Sequence, residues 1–206
     1  MHESIGSTGA LRALRDGAID VGLVSRPLSP EDLRGGLRAT PYARTEVILV
    51  AHPSVTARAL SPDALRDILR GARTRWDDGA PLTFVLRERG DSSHRALAAA
   101  IPGFAEAEAD AQRARRFRVM YRDDDLRAAV AETPGALGVA NRGGTRLGGE
   151  PVIPLAIEGA PPAIKDLSLV LRDDASPAAR DFVAFATSPA ARALIAEAGY
   201  LLPEPP

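Results

Sequence analysis

The chain has 206 residues, 45% hydrophobic and 26% charged, and its formal net charge is −1. That apolar share builds a globular core, while the near balance of charge argues against nucleic acid as the main partner, which demands a basic excess. With no cysteine, disulfides, thiol chemistry and thiolate metal sites are excluded. His2, His52 and His94 have no ligand spacing, no stretch is long and apolar enough to span a membrane, and residues 1–30 lack a signal-peptide pattern.

The run Ile5-Gly6-Ser7-Thr8-Gly9-Ala10-Leu11 reads as a small-residue turn entering a helix, with Ser7 or Thr8 as cap and a stop near Gly17. Its backbone N–H groups are suited to facing an anion. Residues 18–25 form a short strand halted by Arg26-Pro27-Leu28-Ser29-Pro30. Ser25 and Arg26 therefore stand at a strand's carboxyl end, which is either a ligand-bearing edge or simply where the strand stops. Residues 45–52 are a second β-prone segment. A helix follows with Ser61 as cap, Pro62 at its first position, Leu65, Ile68 and Leu69 on one face, and Gly71 at its stop. Trp76 reads as a packing anchor against that helix, since no basic–aromatic interleaving surrounds it.

Residues 82–86 predict a buried strand that delivers Arg87-Glu88-Arg89-Gly90-Asp91-Ser92-Ser93-His94 to its end, with a helix starting at Asp91 or Ser92. An arginine fork, hydroxyl donors and a helix start are ingredients of oxyanion binding; the plainer alternative is a surface ion pair at Arg87 and a simple cap at Asp91. Residues 106–118 alternate charges and read as a solvated helix or connector. Residues 117–121 predict a strand, and Asp123-Asp124-Asp125 reads as the cap of the next helix, because the twelve-residue calcium-loop pattern is absent. Residues 134–140 predict a turn feeding a strand, then a flexible Asn141-Arg142-Gly143-Gly144 segment. Residues 152–155 and 167–171 predict a β pair, Ser176-Pro177 starts a helix with Phe182, Val183 and Phe185 inward, and Ser188-Pro189 starts another that ends at Gly199-Tyr200. The alternation predicts mainly parallel α/β layers.

Six of these segments carry a resemblance: residues 5–9, residues 20–28, Arg75-Trp76-Asp77-Asp78, the loop from Arg87 to Ser93, residues 134–139, and residues 188–200. Together they run in order along nearly the whole chain, which resembles the solute-binding proteins of phosphate ABC transporters and the wider phosphate-binding-like family. The resemblance implies an α/β, two-lobed, type II periplasmic-binding-protein (Venus-flytrap) fold. Residues 1–50 and 151–206 would form one lobe and residues 51–150 the other. It implies non-enzymatic, reversible binding of a small oxyanion in an interlobe cleft, with no cofactor or metal and an ABC permease as partner. Ser7 maps to the family's turn hydroxyl and Arg87 to its arginine, while Asp91, Ser92 and Ser93 map to its loop ligands. Thr8, Ser25 and Arg26 complete the candidate site.

Two departures qualify that reading. Ser25 replaces the aspartate that many phosphate binders use to accept the ligand's proton, and Asp91 stands where a neutral hydroxyl is expected. A carboxylate there repels a buried oxyanion unless it is protonated or turned toward Arg87 or Arg89. The family also carries a secretion signal and first strand ahead of the Ser7 turn. The expectation is therefore a periplasmic or extracellular location if those lie upstream, a cytoplasmic one if the chain is complete as given, and self-association through an exposed sheet edge. Two other readings stand beside the receptor: an intracellular ligand-sensing or binding-dead interaction module, and a hydrolase using Ser7, His94 and Asp91.

Overall fold

The computed structural model describes residues 5–203; His2 lies outside them. Helix α1 (Gly6–Arg15) opens on Gly6, whose φ of +68° glycine adopts without strain. Neither Ser7 nor Thr8 caps it: both lie within its first turn, and Ile5 holds the cap position without a side-chain bond. Strand β1 (Gly22–Val24) is the centre of the predicted 18–25 strand, and β2 (Leu37–Ala51) extends the predicted 45–52 strand well toward its N-terminal side. After β3 (Ala59–Leu60), α2 (Pro62–Arg70) has the predicted punctuation: Ser61 Oγ accepts from the Ala64 N–H, and Gly71 takes a left-handed φ of +78°.

Strand β4 (Thr83–Arg87) runs one residue further than predicted, so Arg87 is its last residue, and α3 (Ser92–Ala100) starts after Asp91. Helix α4 (Phe104–Arg113) is not wholly solvated, because Phe104, Ala107 and Ala111 recur at helical spacing and are buried. Beyond β5 (Arg118–Met120), the three aspartates form the first turn of α5 (Asp123–Glu132) rather than its cap, where their charge suits the helix dipole. Strand β6 (Ala136–Asn141) leads into α6 (Arg142–Gly148) where a flexible segment was predicted; Asn141 Oδ1 accepts from the Gly144 N–H at 2.6 Å and starts the helix. The chain continues through β7 (Ile153–Ile157), β8 (Ala163–Arg172), α7 (Pro177–Ala186) and α8 (Pro189–Glu197), the last two capped by Ser176 and Ser188.

Contacts divide the chain into two compact units, Met1–Thr45 with Ile164–Pro206, and Glu46–Ala163. The divisions fall at 45/46 and 163/164 instead of the expected 50/51 and 150/151. Pairing explains both shifts, since Val47 to Ala51 pair with β6 and β7 pairs with β2 and β3.

In the first unit the strand order is β1–β8–β2, with β1 antiparallel to β8. Its core gathers Leu11 and Leu14 of α1 over Val24, Leu37 and Val170. A side chain at Gly22 would lie 2.7 Å from Leu14 Cδ1, so the glycine lets α1 sit close on β1. Phe182 and Phe185 do not point inward as predicted: they are 49% and 57% exposed, while Ala179 and Val183 form the buried stripe. Phe182 and Phe185 stand about 100° and 200° around the helix from Val183, outside that stripe.

In the second unit the order is β2–β6–β4–β5, with β7 joined to β2 and β3. The sheet is mixed rather than mainly parallel. Parallel pairing links β4 to β5 and β6, whose connections contain helices, whereas β2 runs antiparallel to β6 and β7. The predicted pair of strands also dissolves, because β7 bonds β2 and β3 while β8 bonds β1. Alternation splits the core across the sheet: Phe84 and Leu86 join α2, α3 and α4 on one face, and Val85 meets Leu126 and Val130 of α5 on the other. Trp76 is buried in the first of these clusters and donates from Nε1 to the Gly135 carbonyl at 2.9 Å, the packing role its sequence context predicts.

Candidate functional site

In the first unit, packing of α1 on β1 brings together two residues that sequence separates by eighteen positions. Ser7 Oγ accepts from the Ser25 N–H at 3.0 Å and lies 3.4 Å from Ser25 Oγ. Thr8 is exposed one position along the same first turn, and among the described residues the N-cap residue Ile5 makes no side-chain cap bond. These neutral donors and acceptors at a helix start form a hydroxyl and amide cluster able to receive an oxyanion.

Arg26 is differently placed. Its two terminal nitrogens donate to the Asp32 carboxylate at 2.7 and 2.8 Å, one of them also reaching the Pro27 carbonyl. Asp32 accepts from both N–H and Oγ of Ser29, and Ser29 Oγ accepts from the Asp32 N–H, a reciprocal box. Hydrogen bonds from Arg26 and then Ser29 hold the Asp32 carboxyl far below the usual carboxylate range against the opposing effect of burial. The bidentate bond to Asp32 correspondingly raises Arg26. A ligand reaching the Arg26 fork must therefore compete with a carboxylate already seated there.

In the second unit, β4 delivers Arg87 to a position only 5% exposed. Parallel pairing sets Arg87 opposite Met120, so Tyr121 and Asp123 emerge at the same sheet edge. Three carboxylates meet the guanidinium: Asp123 Oδ1 at 2.5 Å from Nη1, Glu88 at 3.1 Å from Nε and 3.2 Å from Nη2, and Asp91 Oδ2 at 3.5 Å from Nη2. Nη2 also donates to the Tyr121 carbonyl at 2.9 Å. Burial works against the charge on Arg87, but the bond to Glu88 and the charges of Asp123, Asp91 and Glu88 outweigh it, and the pKa is raised. The arginine is a compensated cation.

Asp91 serves two tasks at once. Its Oδ1 accepts from the Ser93 and His94 N–H groups at 2.9 and 3.1 Å, taking the donors at the start of α3 that an external anion would use. Ser93 is buried and Ser92 half-buried. Sequence reading missed the outer partners of this cluster: Asp32 in the first unit, and Glu88, Asp123, Gln112 and Asn141 in the second. Gln112 Nε2 donates to the Arg87 carbonyl at 2.7 Å and Asn141 Nδ2 to Asp123 Oδ2 at 3.2 Å. Ser29-x-x-Asp32 was detectable as a box pattern; the Asp123 contact needs the β4–β5 register, which no local signal supplies.

Within the second unit, Asp91 and His94 of the hydrolytic alternative do not form an acid–imidazole pair. His94 Nδ1 bonds Glu108 at 2.7 Å, and its Nε2 is buried without a partner among the described residues, beside the Phe84 and Phe104 rings. The Asp91 oxygen nearest α3 is bonded to backbone rather than orienting the imidazole. Among the described residues no group of three or more His, Cys, Asp or Glu side chains could hold a metal ion, and no helix is long and apolar enough to cross a membrane.

Comparison with known proteins gives these geometries a context. A 78-residue stretch is 32% identical to phosphate-binding protein PstS 2 of Streptococcus agalactiae; it spans 38% of this chain and 26% of that relative. The fold matches a putative phosphate ABC transporter substrate-binding protein with bound phosphate from Clostridium perfringens, with a TM-score of 0.80, 18% identity, and coverage of 97% of this chain and 86% of that one. It also matches the regulatory domain of OxyR2 from Vibrio vulnificus, with a TM-score of 0.58, 17% identity, and coverage of 88% and 76%. At such identities these structures speak for the fold, a two-lobed α/β architecture of the periplasmic-binding-protein kind. The family model described as PBP superfamily domain matches residues 1–190, and the chain belongs to that family.

Proposed function

We propose that the chain reversibly binds a small, phosphate-like oxyanion without changing it chemically, as the solute receptor of an ABC importer or a descendant of one. The observation that carries the proposal is the Ser7 hydroxyl, which accepts from the Ser25 N–H at 3.0 Å in the first turn of α1, where Ile5 at the N-cap makes no side-chain bond. Small neutral donors on rigid backbone replace an anion's hydration shell without introducing a like charge. The 32% identical stretch of PstS 2 supports the choice of phosphate as the first ligand to try. Ser7, Thr8 and Ser25 are the first unit's ligand groups in this reading. In the second unit Ser92, Ser93 and Arg87 contribute, with Arg87 supplying charge only as a carboxylate partner yields; Arg26 and Asp91 act through the ion pairs and cap already described.

Calorimetric titration of phosphate-stripped protein with phosphate, sulfate and molybdate tests this. At least one anion binds saturably, and Ser7→Ala weakens that binding by roughly tenfold or more, the loss of one charge-assisted bond. Absence of binding by the whole panel rejects the reading. A second reading, a ligand-sensing or binding-dead module of the same fold, is favoured by the three carboxylates around Arg87 and by the fold match to a regulatory domain. It gains if the protein is folded and no anion binds.

A further inference from the structure

The second unit contains a cavity of about 390 Å3 beside β2 and β7, lined by residues other than those of the Arg87 cluster. Its volume falls within the range of roughly 300–1,000 Å3 typical of small-molecule sites. Val47, Leu155 and Ile157 with Pro161 and Pro162 supply apolar wall, and Arg58 and Arg142 supply the cations.

The two arginines differ in how far they are committed. Arg142 Nε donates to Glu46 Oε2 at 2.7 Å, so that pair is neutral overall. Arg58 uses only Nη1, which donates to the carbonyls of Val55, Thr56 and Ala57 at 3.3, 3.1 and 3.3 Å. Its Nε and Nη2 have no protein partner among the described residues, and it pairs with no carboxylate there. The lining thus carries one uncompensated positive charge: two arginines against the single acid Glu46.

We propose that this cavity is a binding site for a small organic monocarboxylate with an apolar body, the carboxylate on the free edge of the Arg58 guanidinium and the body against the proline and leucine wall. A single net charge matches a monoanion, and a planar fork with two open donors matches a carboxylate's two oxygens. An inorganic oxyanion leaves the apolar wall unused, and a neutral apolar molecule leaves the cation unmatched.

Hexanoate and benzoate, with hexanamide and benzamide as neutral counterparts, are the probes, and titration is followed by calorimetry on the full chain. Saturable binding of at least one acid, with its amide weaker by roughly tenfold or more, is the expected result. Arg58→Gln, at an exposed position, removes the preference for acid over amide while leaving phosphate titration unchanged. Saturating phosphate does not displace the acid. No binding of either acid, equal binding of acid and amide, or displacement by phosphate each overturns the proposal. Because the acid–amide contrast is measured on the unaltered protein, the test stands even if Arg58→Gln fails to fold. Failure of phosphate to bind leaves this result intact and bears only on the oxyanion reading.

Discussion

The Ser7–Ser25 cluster and the Arg87 cluster are built from opposite materials. In the first unit, uncharged hydroxyl and amide groups meet at the start of α1, where Ile5 at the N-cap makes no side-chain bond. In the second, a buried cation is surrounded by Glu88, Asp91 and Asp123, and the helix start beside it is capped by its own aspartate. Both look like anion cradles when read as sequence. In the first the groups bond one another without a charge, the Ser25 N–H donating to Ser7 Oγ, while the second already holds internal carboxylates around its cation.

That contrast separates stability from recognition, and substitutions can break it. The largest effect belongs to Arg87→Ala, which takes the cation away from buried Asp91 and from the partly exposed Glu88 and Asp123, and should lower unfolding free energy by about 2–3 kcal/mol. Urea denaturation measures it. A loss under about 1 kcal/mol would mean the cluster is loosely solvated and Arg87 is free for a ligand after all.

Asp91→Ala comes next, with an expected loss of about 1–2 kcal/mol from the missing cap of α3. Asp91→Asn keeps a capping oxygen while removing the charge. If the Asp91 carboxylate opposes an incoming anion, the Asn variant binds phosphate more tightly than the parent; unchanged affinity would place the cap outside the ligand's reach.

A pH comparison probes the Arg26–Asp32 pair. The folded-state Asp32 carboxyl lies far below its ordinary range, so its contribution is present at neutral pH, above the unfolded pKa. It declines as pH falls through the unfolded range near about 4 toward the lowered folded value. The gap in melting temperature between the parent and Asp32→Asn should therefore close on acidification. A gap that stays constant to low pH would show that packing, not charge, holds the Arg26 turn.

Ser7→Ala should have the smallest effect on stability, at most about 1 kcal/mol for one partly buried hydrogen bond. Its effect on anion affinity should nonetheless be the largest of the series.

Much of this was legible from residue chemistry acting over short distances. Ser61-Pro62 through Gly71 and the Asp91 cap are local signals whose geometry is fixed within one helical turn, and they survive into the structure. The order of the six resembling segments pointed to the fold. What local signals could not supply is pairing: the register that sets Arg87 opposite Met120 brings Asp123 to the guanidinium from thirty-six residues away. The same limit misassigned the sheet as mainly parallel, whereas the aspartates, read as caps, missed only by the placing of a helix boundary. Hydrophobicity points Phe182 and Phe185 inward, but the face that packs is the one carrying Ala179 and Val183, a choice set by tertiary contacts.

The most direct test of the account is a calorimetric titration of phosphate into phosphate-stripped parent, Ser7→Ala and Asp91→Asn proteins, each first shown to be folded. Saturable binding by the parent, at least roughly tenfold weaker binding by Ser7→Ala, and binding by Asp91→Asn at least as tight as the parent's are expected. Equal affinity in parent and Ser7→Ala, with Asp91→Asn the variant that loses binding, would contradict it.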